Sequence, residues 1–307
     1  MVREFVENAL REDLGRGDLF ERVLGESALG SGLQNGLDLA NFVRNGANEI
    51  ENDSINGLRN KKVTAKILAK EDGILSGRAY VEELFGLFSI ESRFHLKDGA
   101  EFVKGAILCE IKGAYVDILK VERTALNILQ HSSGIATNTA KYVNVLREND
   151  LNTTLLDTRK TRPLLRAFEK YSVLNGGGRN HRFGLDECLM LKDTHLRHIK
   201  DLAEFIKIAR AKIPWSCKIE VECEDFKATK RAMESGCDIV MCDNMKPSEI
   251  AKVVEYRNNL SSGILIEASG NVSENNIVEI AKSGVDAISV GSLIHHAVWV
   301  DLSMRMD

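Results

Sequence analysis

A set of basic residues falls in a pattern suited to a small polyanion: Arg123, Arg159, Lys160, Arg162, His181, Arg182 and Lys192. Arg forks carboxylates and phosphates through paired N–H groups, whereas Lys offers a mobile point charge. Two acids stand apart from this set. Glu222 and Asp243 each close a short apolar run with no Cys/His ligand set nearby. Such a pair suits Mg²⁺ with its retained waters, or the hydroxyls of a sugar. Further on, ASGN (268–271) and SVGS (289–292) place Gly and Ser between an apolar run and a helical pattern. Backbone N–H groups at such a turn cradle phosphate. Ser269, Gly270, Asn271, Gly291 and Ser292 are therefore candidate phosphate contacts. The loop NGGGRNHR (175–182) is neither G-x-G-x-x-G nor a Walker A sequence, so dinucleotide and P-loop readings are rejected. Its glycines are expected to bring backbone close to a ligand beside His181 and Arg182. Any one of these charges is explained as well by solvent or an internal partner. Six successive strand ends carrying them are not.

The apolar runs that end in these residues are TTLLDTRK, CLMLKDTH, CKIEVECED, DIVMCDNM, GILIEASG and DAISVGS. Helical patterns separate them. In DLAEFIKIAR, Leu202, Phe205, Ile206 and Ala209 follow i, i+3, i+4, i+7. KPSEIAKVVEYRNN opens with Pro247 at the first helical position. Six strand–helix units predict parallel strands, right-handed crossovers and a barrel or barrel-like α/β fold, with chemistry at the carboxyl ends. Those ends carry Asp157, Arg159, Lys160 and Arg162; Lys192 and Asp193; Glu220, Glu222 and Glu224; Asp243; Glu267 and Ser269; Gly291 and Ser292. The earlier part of the chain has another texture. Residues 1–24 read as a helix running into a loop. Residues 25–60 are rich in Gly and Asn and read as an inserted loop or partly ordered segment. From Lys61, strand-sized runs alternate with K-D-G, K-G and E-D-G turns, which predicts an antiparallel sheet. VERTALNILQHSSGIATNTAKYVNVLR reads as a long helix with Gly134 as a break or point of close contact.

Composition excludes several classes. The chain has 307 residues, comfortable for two domains. Lys+Arg 41 against Asp+Glu 45 gives −4, which argues against a basic nucleic-acid binder. No apolar run reaches the roughly 18 residues of a membrane helix, and the charged N-terminus lacks a signal-peptide core. The six cysteines form no C-x-x-C pair and several sit in apolar runs, so they are expected to be free buried thiols in a reducing cytoplasm. His131, His195, His295 and His296 receive no role, and the RGD at 16–18 is read as a turn.

The strings ERTALNILQHSSGIAT, LLDTRKTRPLLRAFEKYSVLNGGGRNHRFGL, LMLKDTH, IEVECED, DIVMCDNM, IEASGN and AISVGSLIHH closely resemble the nicotinate-nucleotide pyrophosphorylase (carboxylating) family, the quinolinate phosphoribosyltransferases. Similarity runs through residues 1–24 and 61–307. The resemblance implies an N-terminal α/β sandwich domain (1–130, with 25–60 inserted) and an incomplete, open α/β barrel (131–293). A C-terminal helix (294–307) is then expected to return to the sandwich. It implies dimers or larger even oligomers, and the transfer of a phosphoribosyl group to quinolinate with loss of pyrophosphate and CO₂, a step of NAD biosynthesis. Carried over by position, Arg123, Arg159, Lys160, His181, Arg182 and Lys192 are the basic substrate set, with Arg123 lent to the neighbouring subunit. Glu222 and Asp243 handle the ribose hydroxyls and Mg²⁺. Ser269–Gly270 and Gly291–Ser292 hold phosphate. The segment 25–60 is read as a departure from the family pattern.

Charge then dictates a mechanism. Quinolinate is a dianion, so Arg123, Arg159, His181 and Arg182 are expected to neutralise it and Lys160 and Lys192 to reach the pyrophosphate. The other readings are a nicotinate-using phosphoribosyltransferase or molybdenum-transport-associated paralogue, a non-catalytic barrel that binds a phosphorylated metabolite, and a class I aldolase with Lys160 as its Schiff-base lysine.

Overall fold

A computed structural model describes residues 1–24, 57–58, 61–260 and 263–307. Apart from 57–58, the expected insertion at 25–60 lies outside the described residues. Two compact units divide the chain: Met1–Gly134 with Trp299–Asp307, and Ile135–Val298.

The first unit is built on a four-stranded antiparallel sheet in the order β12-β1-β5-β3. Its strands are β1 (Lys62–Ala69), β3 (Glu91–Phe94), β5 (Ile107–Ala114) and β12 (Leu302–Met306). A short pair, β2 (Gly73–Ile74) and β4 (Glu101–Phe102), completes it. In β1 the period of two is plain: Val63, Ala65, Ile67 and Ala69 are buried while Lys62 and Thr64 are exposed. The helices Val2–Leu14 and Arg78–Leu87 bury Val6, Leu10, Val81, Leu84 and Phe85.

The C-terminal residues are a strand, not the expected helix. Leu302 to Met306 pair antiparallel with Ala69 to Ala65. The helical run Ser292–His295 stops after one turn, and LSMRM then alternates closely enough to join an open sheet edge. The expected break at Gly134 is also absent. One helix runs from Tyr115 to Glu148 without interruption. A single Gly costs a helix about 1 kcal/mol, which burial of both flanks readily offsets.

The second unit is a six-stranded parallel sheet in the order β6-β11-β10-β9-β8-β7. Its strands are β6 (Thr154–Leu156), β7 (Cys188–Leu191), β8 (Lys218–Cys223), β9 (Ile239–Asp243), β10 (Leu265–Ser269) and β11 (Ala287–Ser289). The unit's first strand, β6, pairs with its last, β11, and the sheet is open between β6 and β7. One bridge, Leu156 to Arg179, extends the β6 edge toward that gap. In β8, Ile219, Val221 and Cys223 fill one face while Glu220 and Glu222 occupy the other. The outer helices are cut at the sequence signals: Asp201 and Asp225 accept capping bonds from Glu204 N–H at 3.0 Å and Ala228 N–H at 2.7 Å, and Pro247 opens the helix Pro247–Asn259.

The six cysteines are free, five of them buried. Burial pushes the thiols of Cys109, Cys188, Cys237 and Cys242 up to about 12, so they act as small hydrophobes. Among the described residues no helix is long and apolar enough to cross a membrane.

Candidate active site

The carboxyl ends of the six parallel strands open on a cleft of about 810 Å³. Thr158, Arg159 and Lys160 enter it from the loop after β6, Lys192 from the end of β7, Glu222 from β8, and Asp243 and Asn244 from β9. Ser269, Gly270 and Asn271 come from the end of β10, and Gly291 and Ser292 from the turn after β11. His181 and Arg182 complete the lining from the glycine-rich loop. Apart from Arg162, the expected substrate-binding residues of this unit therefore share one cavity. Arg123 does not belong to it; it lies exposed on the first unit's part of the helix Tyr115–Glu148.

The phosphate-type turns are fixed by side chains that sequence reading missed. Asn138 Nδ2 donates to Ser292 O at 3.0 Å and to Leu293 O at 3.1 Å. Asn271 Nδ2 donates to Asn244 Oδ1 at 2.8 Å, joining the ends of β9 and β10. At Gly291 a Cβ would lie 2.8 Å from Lys160 Cδ and 3.2 Å from His295 Nε2. A side chain there would displace the Lys160 stem from over this turn. His295 and His296, assigned no role from sequence, line the cleft beside it. Burial, then His296 and Lys160, hold His295 below its ordinary value.

Not every strand-end charge faces the cavity. Asp157, Glu220 and Glu267 are buried, and Glu224 and Arg162 are absent from the lining. Arg162 instead pairs with buried Glu169 at 2.6 Å. Asp157 forms a short ion pair with Lys170, and neither side chain has exposed surface. Burial raises the Asp157 carboxyl and lowers the Lys170 ammonium, and their pairing only partly offsets this.

Glu220 and Glu267 meet His181 under the cleft. His181 Nε2 lies 3.2 Å from Glu220 Oε2 and 3.3 Å from Glu267 Oε2. Burial alone would lower the imidazole, but the bonds and charges of the two carboxylates raise it to about 10. The Arg182 N–H donates to His181 Nδ1 at 2.7 Å, so Nε2 carries the proton that faces the two carboxylates. Burial raises the Glu220 carboxyl as well, and His181 and Glu220 titrate together. Oε1 of Glu220 and of Glu267 are buried without a hydrogen-bond partner. Contacts of 3.2 and 3.3 Å are hydrogen-bond lengths, and a shared proton accounts for the cluster. His181 thus reaches the cleft with both ring nitrogens already engaged.

The glycine-rich loop also departs from expectation. Its glycines approach protein, not a ligand. A Cβ at Gly176 would overlap Ala136 O and Thr139 Cβ, and one at Gly178 would lie 2.8 Å from Val173 Cγ1. The close packing lets the following residues reach the β6 edge, where the Arg179 N–H donates to Leu155 O at 2.8 Å.

The cleft carries two kinds of charged group. One is cationic: Arg159, Lys160, Arg182 and Lys192. Arg159 Nε is buried without a partner, and burial, then Arg182 and Arg166, lower the guanidinium's proton affinity. The other is anionic: Glu222 and Asp243. The two kinds adjoin, since Lys192 Nζ donates to Glu222 Oε2 at 2.5 Å. Asp243 Oδ2 accepts Asn244 Nδ2 at 3.0 Å. No thiol lines the cleft, so the carboxylate donor set suits Mg²⁺ better than a soft metal. An anion with two or more charged groups fits the cations, and a hydroxyl-rich or metal-chelated group fits the carboxylates.

Comparison with known proteins bears on the identity of those groups. The model for the quinolinate phosphoribosyl transferase C-terminal domain matches residues 135–305, and that for the N-terminal domain matches residues 47–133. A probable nicotinate-nucleotide pyrophosphorylase [carboxylating] of Methanocaldococcus jannaschii is 40% identical over 247 residues, 79% of this chain and 86% of that protein. The counterpart in Synechocystis is 32% identical over 308 residues, 100% of this chain and 92% of that protein. The crystal structure of nicotinate-nucleotide pyrophosphorylase from Ehrlichia chaffeensis superposes with a TM-score of 0.82 at 28% identity, covering 99% of this chain and 98% of that one.

Proposed function

The chain belongs to the quinolinate phosphoribosyl transferase family, and we propose that its cleft joins quinolinate to the ribose of phosphoribosyl pyrophosphate. The products are nicotinate mononucleotide, pyrophosphate and CO₂, a step of NAD biosynthesis. The observation that supports this reading is the single cavity that gathers four cations, a carboxylate pair and two Gly/Ser turns at the strand ends.

Arg159 and Arg182 neutralise the two carboxylates of quinolinate and orient the ring nitrogen. His181 supplies part of the wall beside them. The 5′-phosphate sits on the turns of Ser269–Gly270–Asn271 and Gly291–Ser292. Glu222 and Asp243 accept the ribose hydroxyls and would hold Mg²⁺ with its waters. When bound, Mg²⁺ offsets negative charge on the pyrophosphate. Lys160 and Lys192 stand where charge grows on that leaving group as the ring nitrogen attacks ribose C1. The alkylated ring is then an electron sink. The C2 carboxylate leaves as CO₂, and a proton takes its place on the ring carbon. No covalent enzyme intermediate is needed. Six free thiols fit a reducing cytoplasm.

Purified protein given quinolinate, phosphoribosyl pyrophosphate and Mg²⁺ is expected to release pyrophosphate and CO₂ in equal amounts. Turnover of nicotinate with no CO₂, or no turnover of either, would remove the assignment.

Arg123 acts in the site of a second subunit within a dimer or larger even oligomer. Arg123→Ala is expected to weaken quinolinate binding, and mixing it with Lys160→Ala subunits is expected to restore activity that neither variant has alone. Failure of the mixture to gain activity, with subunit exchange verified by mass, would count against a shared site.

A further inference from the structure

The buried Lys170–Asp157 pair is outside the cleft lining, yet it grips one residue of the basic loop from both sides. The His181 N–H donates to Asp157 Oδ1 at 2.9 Å. Lys170 Nζ donates to the His181 carbonyl at 2.8 Å. Asn180 Nδ2 adds bonds of 2.7 Å to Asp157 Oδ2 and 3.0 Å to Lys170 O. Asp157 itself begins the loop that carries Arg159 and Lys160 into the cleft. We propose that Asp157, Lys170 and Asn180 are positioning residues that lock the Arg159–Lys160 loop to the His181–Arg182 loop, and so set the spacing on which recognition of a pyridine dicarboxylate depends. The inference rests on the function proposed above.

Stability is a poor account of this pair. A buried ion pair replaced by apolar groups of similar volume is often neutral or stabilising. The loop also has other anchors. The Arg179 N–H donates to Leu155 O, the Asp157 N–H donates to Arg179 O at 3.1 Å, and Gly176 and Gly178 pack against the neighbouring helices. The pin is added beyond these anchors, at the step before two side chains enter the cleft. What needs resisting there is repulsion. Burial, then the nearby Arg182 and Arg166, disfavours charge on Arg159. Without a dianion between them the two loops are pushed apart, so a rigid link keeps the site ready for one. Most ribose and phosphate contacts sit on β8, β9 and β10, away from the pin, and the turn after β11 is held to β6 by its own bond, Val290 N–H to Leu156 O at 2.9 Å.

The test is steady-state kinetics of purified full-length Asp157→Asn, Lys170→Met and Asn180→Ala, with each substrate varied in turn and a thermal melt of every variant. KM for quinolinate is expected to rise, and kcat/KM for it to fall, on the order of 10-fold or more. KM for phosphoribosyl pyrophosphate is expected to stay within about twofold. Asn180→Ala leaves no buried charge unpaired and carries the test if either charge variant fails to fold. Proportional loss for both substrates that follows the drop in Tm would reduce the pin to a structural role and overturn the proposal. So would folded Asn180→Ala and Asp157→Asn with unchanged quinolinate KM. Wild-type protein in the same assay separates the two ideas: an inactive wild type removes the functional reading, whereas an active wild type beside unaltered variants removes the pin alone.

Discussion

Lys160→Ala is expected to lower kcat by on the order of 10²-fold or more, with Tm close to that of the parent chain. The side chain is exposed, so its loss leaves no cavity. It lies over Gly291, in the space between the basic loop and the phosphate-type turn. Its backbone N–H is tied to Thr158 Oγ1 at 3.0 Å, so the ammonium is delivered from a fixed base. A cation there gains most when the pyrophosphate carries its full departing charge, which is a transition-state effect. The loss should therefore fall on kcat more than on either KM. Initial rates with both substrates saturating give the answer, and a kcat within about threefold of the parent would remove Lys160 from the chemistry. Borohydride treatment of the parent chain with substrate is expected to leave Lys160 unmodified. Trapped adduct there would favour Schiff-base chemistry, which the neighbouring cations and the facing acids do not support.

The cleft was legible from the sequence because its residues sit at strand ends, and strand ends announce themselves. An apolar run that stops at Lys192 or Asp243 has one place to put that charge. The βα period then gathers the ends whatever the helices between them look like. The buried half of the site was not legible. Glu220 and Glu222 read alike in KIEVEC, both on the same face of β8. Only depth separates them: Glu220 lies beneath His181, and Glu222 two residues on reaches Lys192. Lys170 was hidden inside the helix Arg166–Asn175, where a charged residue is ordinarily solvated. His295 and His296 follow the last turn, and nothing in their spacing shows that the turn folds them back over Lys160. The glycine-rich loop was read for the right place and the wrong reason. Three glycines signal close approach, and here two of them, Gly176 and Gly178, press on Thr139 and Val173. The C-terminal strand was missed because its partner, β1, lies more than two hundred residues earlier, and no local pattern records a long-range pairing.

Glu222→Ala is expected to cost on the order of 10²-fold in kcat/KM for phosphoribosyl pyrophosphate and to raise the Mg²⁺ concentration needed for half-maximal rate. The quinolinate KM should change little. The carboxylate is largely buried, with 12% of its side chain exposed, and Lys192 Nζ sits against it at 2.5 Å. Removing it does two things at once. It takes one of the two oxygen donors from the acidic side, and it leaves Lys192 without its counter-charge. These effects separate in a second variant. Lys192→Ala keeps the carboxylate and should leave the Mg²⁺ requirement unchanged while lowering kcat, because the lysine is then missing only from the leaving-group side. If Glu222 served merely to hold Lys192, the two variants would share one kinetic phenotype and the double variant would be no worse than either alone. If Glu222 meets the ribose and its metal directly, Glu222→Ala alone shifts the Mg²⁺ dependence, and the double variant loses more than each single change. Rates measured across a Mg²⁺ series decide between these, and an unshifted series for Glu222→Ala and Asp243→Ala together would take the metal away from this pair.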